Sequence, residues 1–200
     1  MELTPEQIAE NFDKYRSFME KLGDRSESVL HLVDALGESL AMCPASSRKD
    51  YHLAIPGGLV DHSLRVLTNA LKIIKTFGWD IPKDSLIIAC LFHDIGKVGY
   101  VDEDGSVVDY YLPQDSEWHR EKLGENYKHN KAMKFMTTTD RSLWLIQHFG
   151  IRLTFEEFAA IRLADGQYAE ENAPYKMKEP ILADIVHMAD FISTKQEKNL

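Results

Sequence analysis

The sequence predicts an all-α fold, a helical bundle with one small β-hairpin or loop excursion around residues 100–112. Apolar residues recur at three- and four-residue steps along most of the chain, which is the periodicity of amphipathic helices. Capping residues, proline and glycine stand at the ends of these stretches. Residues 100–112 instead alternate β-prone side chains around Asp104-Gly105, a pair that is typical of a hairpin turn.

The length of 200 residues indicates a single domain covering 1–200. We expect its first 43 residues to form two helices that pack on a core of residues 44–192. The first helix is predicted between Pro5 and Gly23. Ser26 is predicted to cap the second helix, because a serine side chain can accept a hydrogen bond from the first turn.

Two further helices follow a loop rich in serine, proline and glycine. The third is predicted over 59–77 and ends at Gly78. The fourth opens at Pro82 and Asp84, and its residues 86–92 are apolar on every side. A helix of this kind is typically buried at the centre of a domain, so we expect functional groups at its polar end.

The remaining elements are predicted with less regular patterns. A mixed segment runs to Met136 and a short helix covers 142–149. The next helix opens at the capping box formed by Thr154 and Glu157. A last helix is predicted over 181–195.

Composition restricts the function. Acidic residues exceed basic ones, which gives a net charge of −9, and such a balance disfavours an extended nucleic-acid-binding face. No apolar stretch has the length of a membrane span, and the N-terminus lacks the pattern of a secretory signal. Cys43 and Cys90 lack the spacing of a disulfide framework or a thiolate zinc site. We therefore expect a cytoplasmic protein, with a small anionic substrate still allowed.

A group of histidines and aspartates suggests metal chemistry. His93 and Asp94 are adjacent where the buried fourth helix ends, and consecutive helical residues point about 100° apart. They converge on one ion only if other helices supply ligands, and His62 and Asp190 lie on such helices. Two imidazoles and two carboxylates suit a borderline or hard divalent cation. The alternative is that these histidines are ordinary core or surface residues.

The sequence resembles a known family around these residues. The motifs GGLVDHSLRV at His62, ACLFHDIGKVG at His93-Asp94 and HMADFIST at Asp190 resemble the HD-domain metal-dependent phosphohydrolases. The chain is most similar to small stand-alone members from bacteria and their phages, in which a Pro-Ala-Ser and a histidine precede Gly-Gly. The matching residues here are Pro44-Ala45-Ser46, His52 and Gly57-Gly58.

The resemblance implies a helical HD fold that binds one divalent metal ion, namely Mn, Mg, Co, Ni, Zn or Fe. Many relatives carry two further histidines that bind a second ion, and Thr138 and Ala164 stand at those positions here. His129 and His148 are out of register with them. A mononuclear site is therefore expected. The ligands implied by the resemblance are His62, His93, Asp94 and Asp190.

The resemblance also implies a mechanism, in which a metal-bound water attacks phosphorus. Asp94 would orient that water or accept its proton, and Lys97 would neutralise charge on the phosphoryl group. An alternative for Lys97 is a solvated lysine at a helix end. The general acid is left unassigned, since relatives with nucleotidase activity often carry a glutamate where Lys97 stands. Residues predicted to contact substrate are Arg65, Lys97, Trp118, Tyr127 and His52.

The predicted function is therefore hydrolysis of a nucleotide, either a nucleoside monophosphate or a triphosphate. One alternative is a phosphodiesterase acting on cyclic or linear oligonucleotides. A second is a nucleotide-binding regulatory module without catalysis. The base, the sugar and the number of phosphates of the substrate stay open. The oligomeric state also stays open, with a homo-oligomer as one alternative.

Overall fold

The computed structural model describes residues 2–198, and it is mostly helical. Short 3-10 helices cover Gly23–Arg25, Ile95–Lys97 and Glu170–Tyr175. The all-α prediction is confirmed. In chain order the α-helices are α1 Pro5–Met19, α2 Ser26–Met42, α3 Gly58–Phe77, α4 Lys83–Phe92, α5 Glu117–Lys122, α6 Thr138–His148, α7 Phe155–Arg162 and α8 Ile181–Glu197.

The core is built around α3, α4, α7 and α8. Helix α3 packs on α4 and α8, and α7 packs on the same two helices. Seven residues of α4 are buried, which agrees with its apolar sequence. Both N-terminal helices contact α3, and α6 packs against α7 and the turn that follows α4.

The N-terminal helices differ in how they begin. Helix α1 starts with a capping box between Thr4 and Gln7, and its buried Tyr15 donates a 2.7 Å hydrogen bond to the Leu91 carbonyl. The prediction for α2 is wrong, because Ser26 is its first helical residue and Arg25 holds the cap position without a side-chain bond. The preceding 3-10 turn already contributes helical backbone, so a side-chain cap is not needed there.

Glycine allows a close approach where α3 begins. Gly57 adopts a left-handed conformation with φ 77°, and a Cβ at Gly58 would lie 2.2 Å from the Leu53 carbonyl oxygen. The predicted stop at Gly78 is confirmed, since it too is left-handed. Thus only glycine fits at the loop that delivers α3.

Two antiparallel strand pairs lie outside the bundle. The predicted hairpin is confirmed as β1 Gly99–Val101 paired with β2 Val107–Asp109. A second pair, β3 Tyr111–Pro113 with β4 Tyr127–His129, was not predicted. Its strands are separated by α5 rather than by a tight turn, so no local hairpin signal marks them.

Later helix boundaries depart from the predictions by a few residues. Helix α6 begins at Thr138, four residues early, because Thr137 caps it. The capping box of Thr154 and Glu157 is confirmed at the start of α7. Helix α8 continues two residues beyond the predicted end and therefore includes Glu197.

None of the helices within residues 2–198 combines the length and the hydrophobicity that crossing a bilayer requires.

Candidate metal centre

Three helices and one turn bring the four predicted ligands to the same corner of the core. His62 lies in the second turn of α3, His93 caps the C-terminus of α4, and Asp94 opens the turn Ile95–Lys97. Asp190 comes from α8, which packs along α3. The side-chain ligand atoms of His62, His93 and Asp94 lie within 4.8 Å of one another.

Hydrogen bonds orient both imidazoles. His93 Nδ1 lies 2.9 Å from the carbonyl oxygen of Cys90, and His62 Nδ1 lies 3.0 Å from both carboxylate oxygens of Glu197. Because these partners only accept, Nδ1 is the protonated nitrogen in the neutral form of each imidazole, and the Nε2 lone pair of that form is available to a metal ion. The two Nε2 atoms are buried and have no hydrogen-bond partner within the described residues.

Carboxylate oxygens surround these Nε2 atoms. Asp94 Oδ2 lies 3.4 Å from His93 Nε2 and 3.9 Å from His62 Nε2. Asp190 Oδ1 lies 3.0 Å from His62 Nε2, without hydrogen-bonding geometry. Lone pairs and carboxylates facing one another are stabilised by a cation between them, and unpartnered buried nitrogens are otherwise costly. This donor set fits a divalent metal ion.

The electrostatics of the cluster favour added positive charge. Burial opposes the charged form of His62, yet the carboxylates of Asp190 and Glu197 raise its pKa to about 9. The pKa of His93 is also raised, since Asp94 outweighs burial. The pKa of Asp94 is held well below its usual range against the effect of burial, with Lys97 and His93 as the causes. Such a cluster takes up protons or a cation.

Lys97 lies beside the predicted ligands. Its Nζ is 2.6 Å from Asp94 Oδ2, and only a small part of its side chain is exposed. Burial opposes its charge, but Asp94 prevails and the pKa of Lys97 is raised. This places an ammonium at the edge of the cluster, and the catalytic role of Lys97 stays a prediction. Tyr111 of β3 lies close enough to Lys97 for the ammonium charge to lower its pKa. Burial has the larger effect, so the pKa of Tyr111 is raised.

Helix α6 holds the turn that carries His93, Asp94 and Lys97. The buried Ser142 hydroxyl accepts from the Gly96 amide at 2.9 Å and lies 3.1 Å from the His93 carbonyl oxygen. The buried Arg141 donates to the Gly96 carbonyl at 2.6 Å. A Cβ at Gly96 would lie 2.2 Å from the Thr138 carbonyl oxygen, so glycine allows this contact.

Two predicted substrate residues line a cavity of about 360 Å³ beside the cluster. His52 packs on His62 with ring centroids 4.7 Å apart, and its Nε2 is buried without a described partner. Burial and the positive charge of His62 lower the pKa of His52 to about 3, so it stays neutral. Arg65 lines the same cavity and donates to Asp61 at 2.8 Å.

Of the other two predicted substrate residues, Tyr127 lies in β4 and Trp118 lies in α5. Tyr127 lines an open groove of about 610 Å³ together with Lys128 and Lys131, and burial raises its pKa. The ring centroids of Tyr127 and Tyr111 lie 6.3 Å apart, and Tyr111 is close to Lys97. The two rings therefore connect the groove to the surroundings of Lys97. Trp118 is 58% exposed and contacts His119, so the structure does not bring it to the ligand cluster.

The positions of a second metal hold no imidazole. Thr138 begins α6, and the Ala164 carbonyl accepts a hydrogen bond from His187 Nδ1 at 3.0 Å. His129 stacks on Tyr110, and His148 stacks on Trp144, both outside the cluster. The single ion stays a prediction. 

Sequence reasoning missed three residues near the cluster. Glu197 was beyond the predicted end of its helix, and Tyr111 was in a strand without a turn signal. Burial raises the pKa of the Asp165 carboxyl, and the nearby negative charge of Asp94 raises it further. A seven-residue spacing between Asp190 and Glu197 was the one signal that pointed to a shared helix face.

The family model for the HD domain matches residues 59–194, which is more than half of the chain. The chain belongs to the HD-domain family. Comparison with curated proteins and with solved structures found no match. The HD domain indicates metal-dependent phosphohydrolase activity in general, and HD domains bind divalent metals. Its matched range contains all four predicted ligands, whereas Glu197 lies outside it.

Proposed function

We propose that this HD domain hydrolyses a nucleotide, releasing phosphate from a nucleoside monophosphate or cleaving a triphosphate. The observation that carries the proposal is the convergence of two buried Nε2 atoms, to which residues 2–198 give no hydrogen-bond partner, with two carboxylates next to the ammonium of Lys97. The proposed ligands of one divalent ion are His62, His93, Asp94 and Asp190.

The chain's own groups divide the work around that ion. When bound, a divalent cation lowers the pKa of a coordinated water and withdraws charge from a phosphoryl oxygen. One carboxylate oxygen of Asp94 lies nearest the imidazoles. The other oxygen orients the water or accepts a proton from that water. Water then supplies a hydroxyl group to phosphorus while a P–O bond breaks, and a proton goes to the leaving oxygen.

Lys97 stabilises charge in this reaction. Its ammonium remains charged because Asp94 raises its pKa, and it lies in a largely buried position where charge interactions are strong. Negative charge on the phosphoryl group grows around the transition state, and a fixed positive charge beside it lowers the barrier.

Three predicted contacts support a nucleotide as the substrate. Arg65 presents a guanidinium to the cavity beside His62, where it suits a phosphate or a sugar hydroxyl. Neutral His52 offers in the same cavity a nitrogen that no described residue hydrogen-bonds. Tyr127 offers a ring for stacking in a groove with two lysines. Trp118 carries no part of this argument, because it lies apart from the cluster.

The test is a product analysis with defined metal. Protein stripped with chelator and reloaded with each of Mn, Mg, Co, Ni, Zn and Fe is incubated with nucleoside monophosphates, triphosphates, cyclic dinucleotides and short oligonucleotides. We expect phosphate, pyrophosphate or triphosphate from a mononucleotide. A nucleotide product without free phosphate would instead support the phosphodiesterase alternative, and binding without any product would support the regulatory one.

Matched variants connect the activity with the cluster. Replacing His93 and Asp94 together with alanine removes two proposed ligands, and we expect loss of both metal content and hydrolysis. His148→Ala removes an exposed histidine that stacks on Trp144, and it should leave both unchanged. Hydrolysis that survives in the metal-free double variant would refute the assigned site.

A further inference from the structure

Glu197 is a fully buried carboxylate that the metal-ligand assignment does not use. Its side chain is 0% exposed, and it is the last residue of α8. Both of its oxygens lie 3.0 Å from His62 Nδ1, and these are the hydrogen bonds that the described residues give it. Burying a carboxylate costs free energy, so the contact of Glu197 with the imidazole nitrogen must compensate for that cost.

Helix geometry explains how one helix reaches both nitrogens of His62. Asp190 and Glu197 are seven residues apart, close to two full turns, and so they lie on the same face of α8. Asp190 approaches Nε2 at 3.0 Å and Glu197 approaches Nδ1 at 3.0 Å. The imidazole is therefore held between two carboxylates from one helix, while His52 covers its face.

The consequence of the Glu197 contact is chemical rather than only structural. Neutral imidazole carries its proton on one nitrogen and ligates through the other, and a carboxylate at Nδ1 keeps the proton there. The free lone pair then lies at Nε2, which faces Asp94 and His93. A carboxylate partner also makes the imidazole a stronger donor to a metal ion.

We infer that Glu197 is a positioning residue that fixes the tautomer and orientation of His62 and so raises the affinity of the proposed site for a divalent cation. The inference rests on the proposed metal site. Glu197 lies outside the matched family segment of 59–194, so this contact is a feature of this chain that the match does not supply.

A neighbouring contact provides a matched control. Asn69, two turns after His62 on α3, donates to Ser193 Oγ at 2.9 Å and Gln196 Oε1 at 3.0 Å. These hydrogen bonds tie α3 to the same end of α8 without touching His62. Asn69→Ala therefore loosens the helix pair in the way that a purely structural role of Glu197 would predict.

The experiment compares Glu197→Gln, Glu197→Ala, Asn69→Ala and the parent protein in Mn²⁺ and Zn²⁺ titrations, with affinity and stoichiometry measured by calorimetry or chelator competition. Circular dichroism and metal-free melting curves establish that each variant is folded. We expect one equivalent of metal in the parent, an affinity lower by about 10–100-fold in Glu197→Ala, a smaller loss in Glu197→Gln, and little change in Asn69→Ala. The visible spectrum of Co²⁺-loaded protein should change only in the Glu197 variants.

Other outcomes overturn the inference in distinguishable ways. No metal bound by the parent protein would refute the proposed site itself. Unchanged affinity in both folded Glu197 variants, or an equal loss in Asn69→Ala, would refute the positioning role alone. Two equivalents in the parent, with one lost in Glu197→Gln, would instead make Glu197 a ligand of a second ion with His52, whose donor atoms lie within 4.8 Å. If Glu197→Ala unfolds, Glu197→Gln decides, because its amide keeps the volume and loses the charge.

Discussion

At the scale of single residues, the orientation of two imidazoles carries the account of the metal centre. His62 and His93 are each held at Nδ1 by an oxygen acceptor, which leaves both Nε2 atoms buried and facing the carboxylates of Asp94 and Asp190. The sequence predicted these four residues, because their motifs are local and distinctive. It did not predict that Nε2 of His62 faces the carboxylates, since that orientation depends on Glu197, which comes from a helix 135 residues further along the chain.

Lys97 provides a test at this scale. Lys97→Met keeps the length of the side chain and removes the charge beside Asp94. We expect kcat to fall by about 10²–10³-fold, as for the loss of one group that stabilises transition-state charge. Metal content should be unchanged, because Lys97 is not among the proposed ligands.

The measurement is steady-state hydrolysis of the best nucleotide from the product screen, with metal content determined in parallel. Lys75→Met is the matched control, because that lysine is exposed in the last turn of α3. Equal kcat values for Lys97→Met and the parent protein would remove Lys97 from the mechanism.

At the scale of elements, α6 fixes the turn that follows α4. Ser142 and Arg141 bind the backbone of His93 and Gly96, so the orientation of Asp94 and Lys97 depends on a helix 45 residues further along the chain. Sequence patterns gave helices at α4 and α6, but not the contact between them. A close approach of this kind is set by packing, for which Gly96 was the local sign.

The α6 contact is testable through Ser142. Ser142→Ala leaves the Gly96 amide without its buried acceptor, and we expect the free energy of unfolding to fall by about 1–3 kcal/mol. Urea denaturation of the metal-free protein measures this change. Ser17→Ala removes an exposed hydroxyl that donates to the Lys14 carbonyl and should change stability by less than about 0.5 kcal/mol. Comparable small effects in both variants would argue against the α6 contact.

The second strand pair shows where element prediction fails for a physical reason. Strands β3 and β4 are three residues each, and their register joins Tyr111 to His129 across an intervening helix. Pairing of this kind depends on non-local contacts, and short strands carry little alternation. The hairpin at residues 99–109 was predictable, because its turn residues are local.

At the scale of the whole molecule, bulk charge and local charge have different consequences. The net charge of −9 includes the carboxylates that surround the proposed cation, and those carboxylates make the site attractive to a divalent ion. The two cysteines are free and buried, as expected of small apolar residues, and burial raises the pKa of each thiol. The net acidity is therefore compatible with the proposed phosphate substrate, because the proposed cation makes the charge at the site locally positive.

Metal binding should also stabilise the entire fold, since the proposed ligands come from α3, α8 and the end of α4. At a metal concentration about 100 times the Kd, binding to the native state adds about 2.7 kcal/mol. For a protein of this size that raises Tm by about 5–10 °C. Differential scanning fluorimetry with and without metal measures the shift. The variant with alanine at both His93 and Asp94 should show none, and an equal shift in that variant would mean that the stabilising ion binds elsewhere.

The central claim is tested most directly by anomalous diffraction from crystals of the Mn²⁺- or Zn²⁺-loaded protein. The account predicts one anomalous peak at about 2.0–2.3 Å from His62 Nε2, His93 Nε2 and carboxylate oxygens of Asp94 and Asp190. A fully loaded crystal with its peak at another group of residues, or with none at these four, would contradict it.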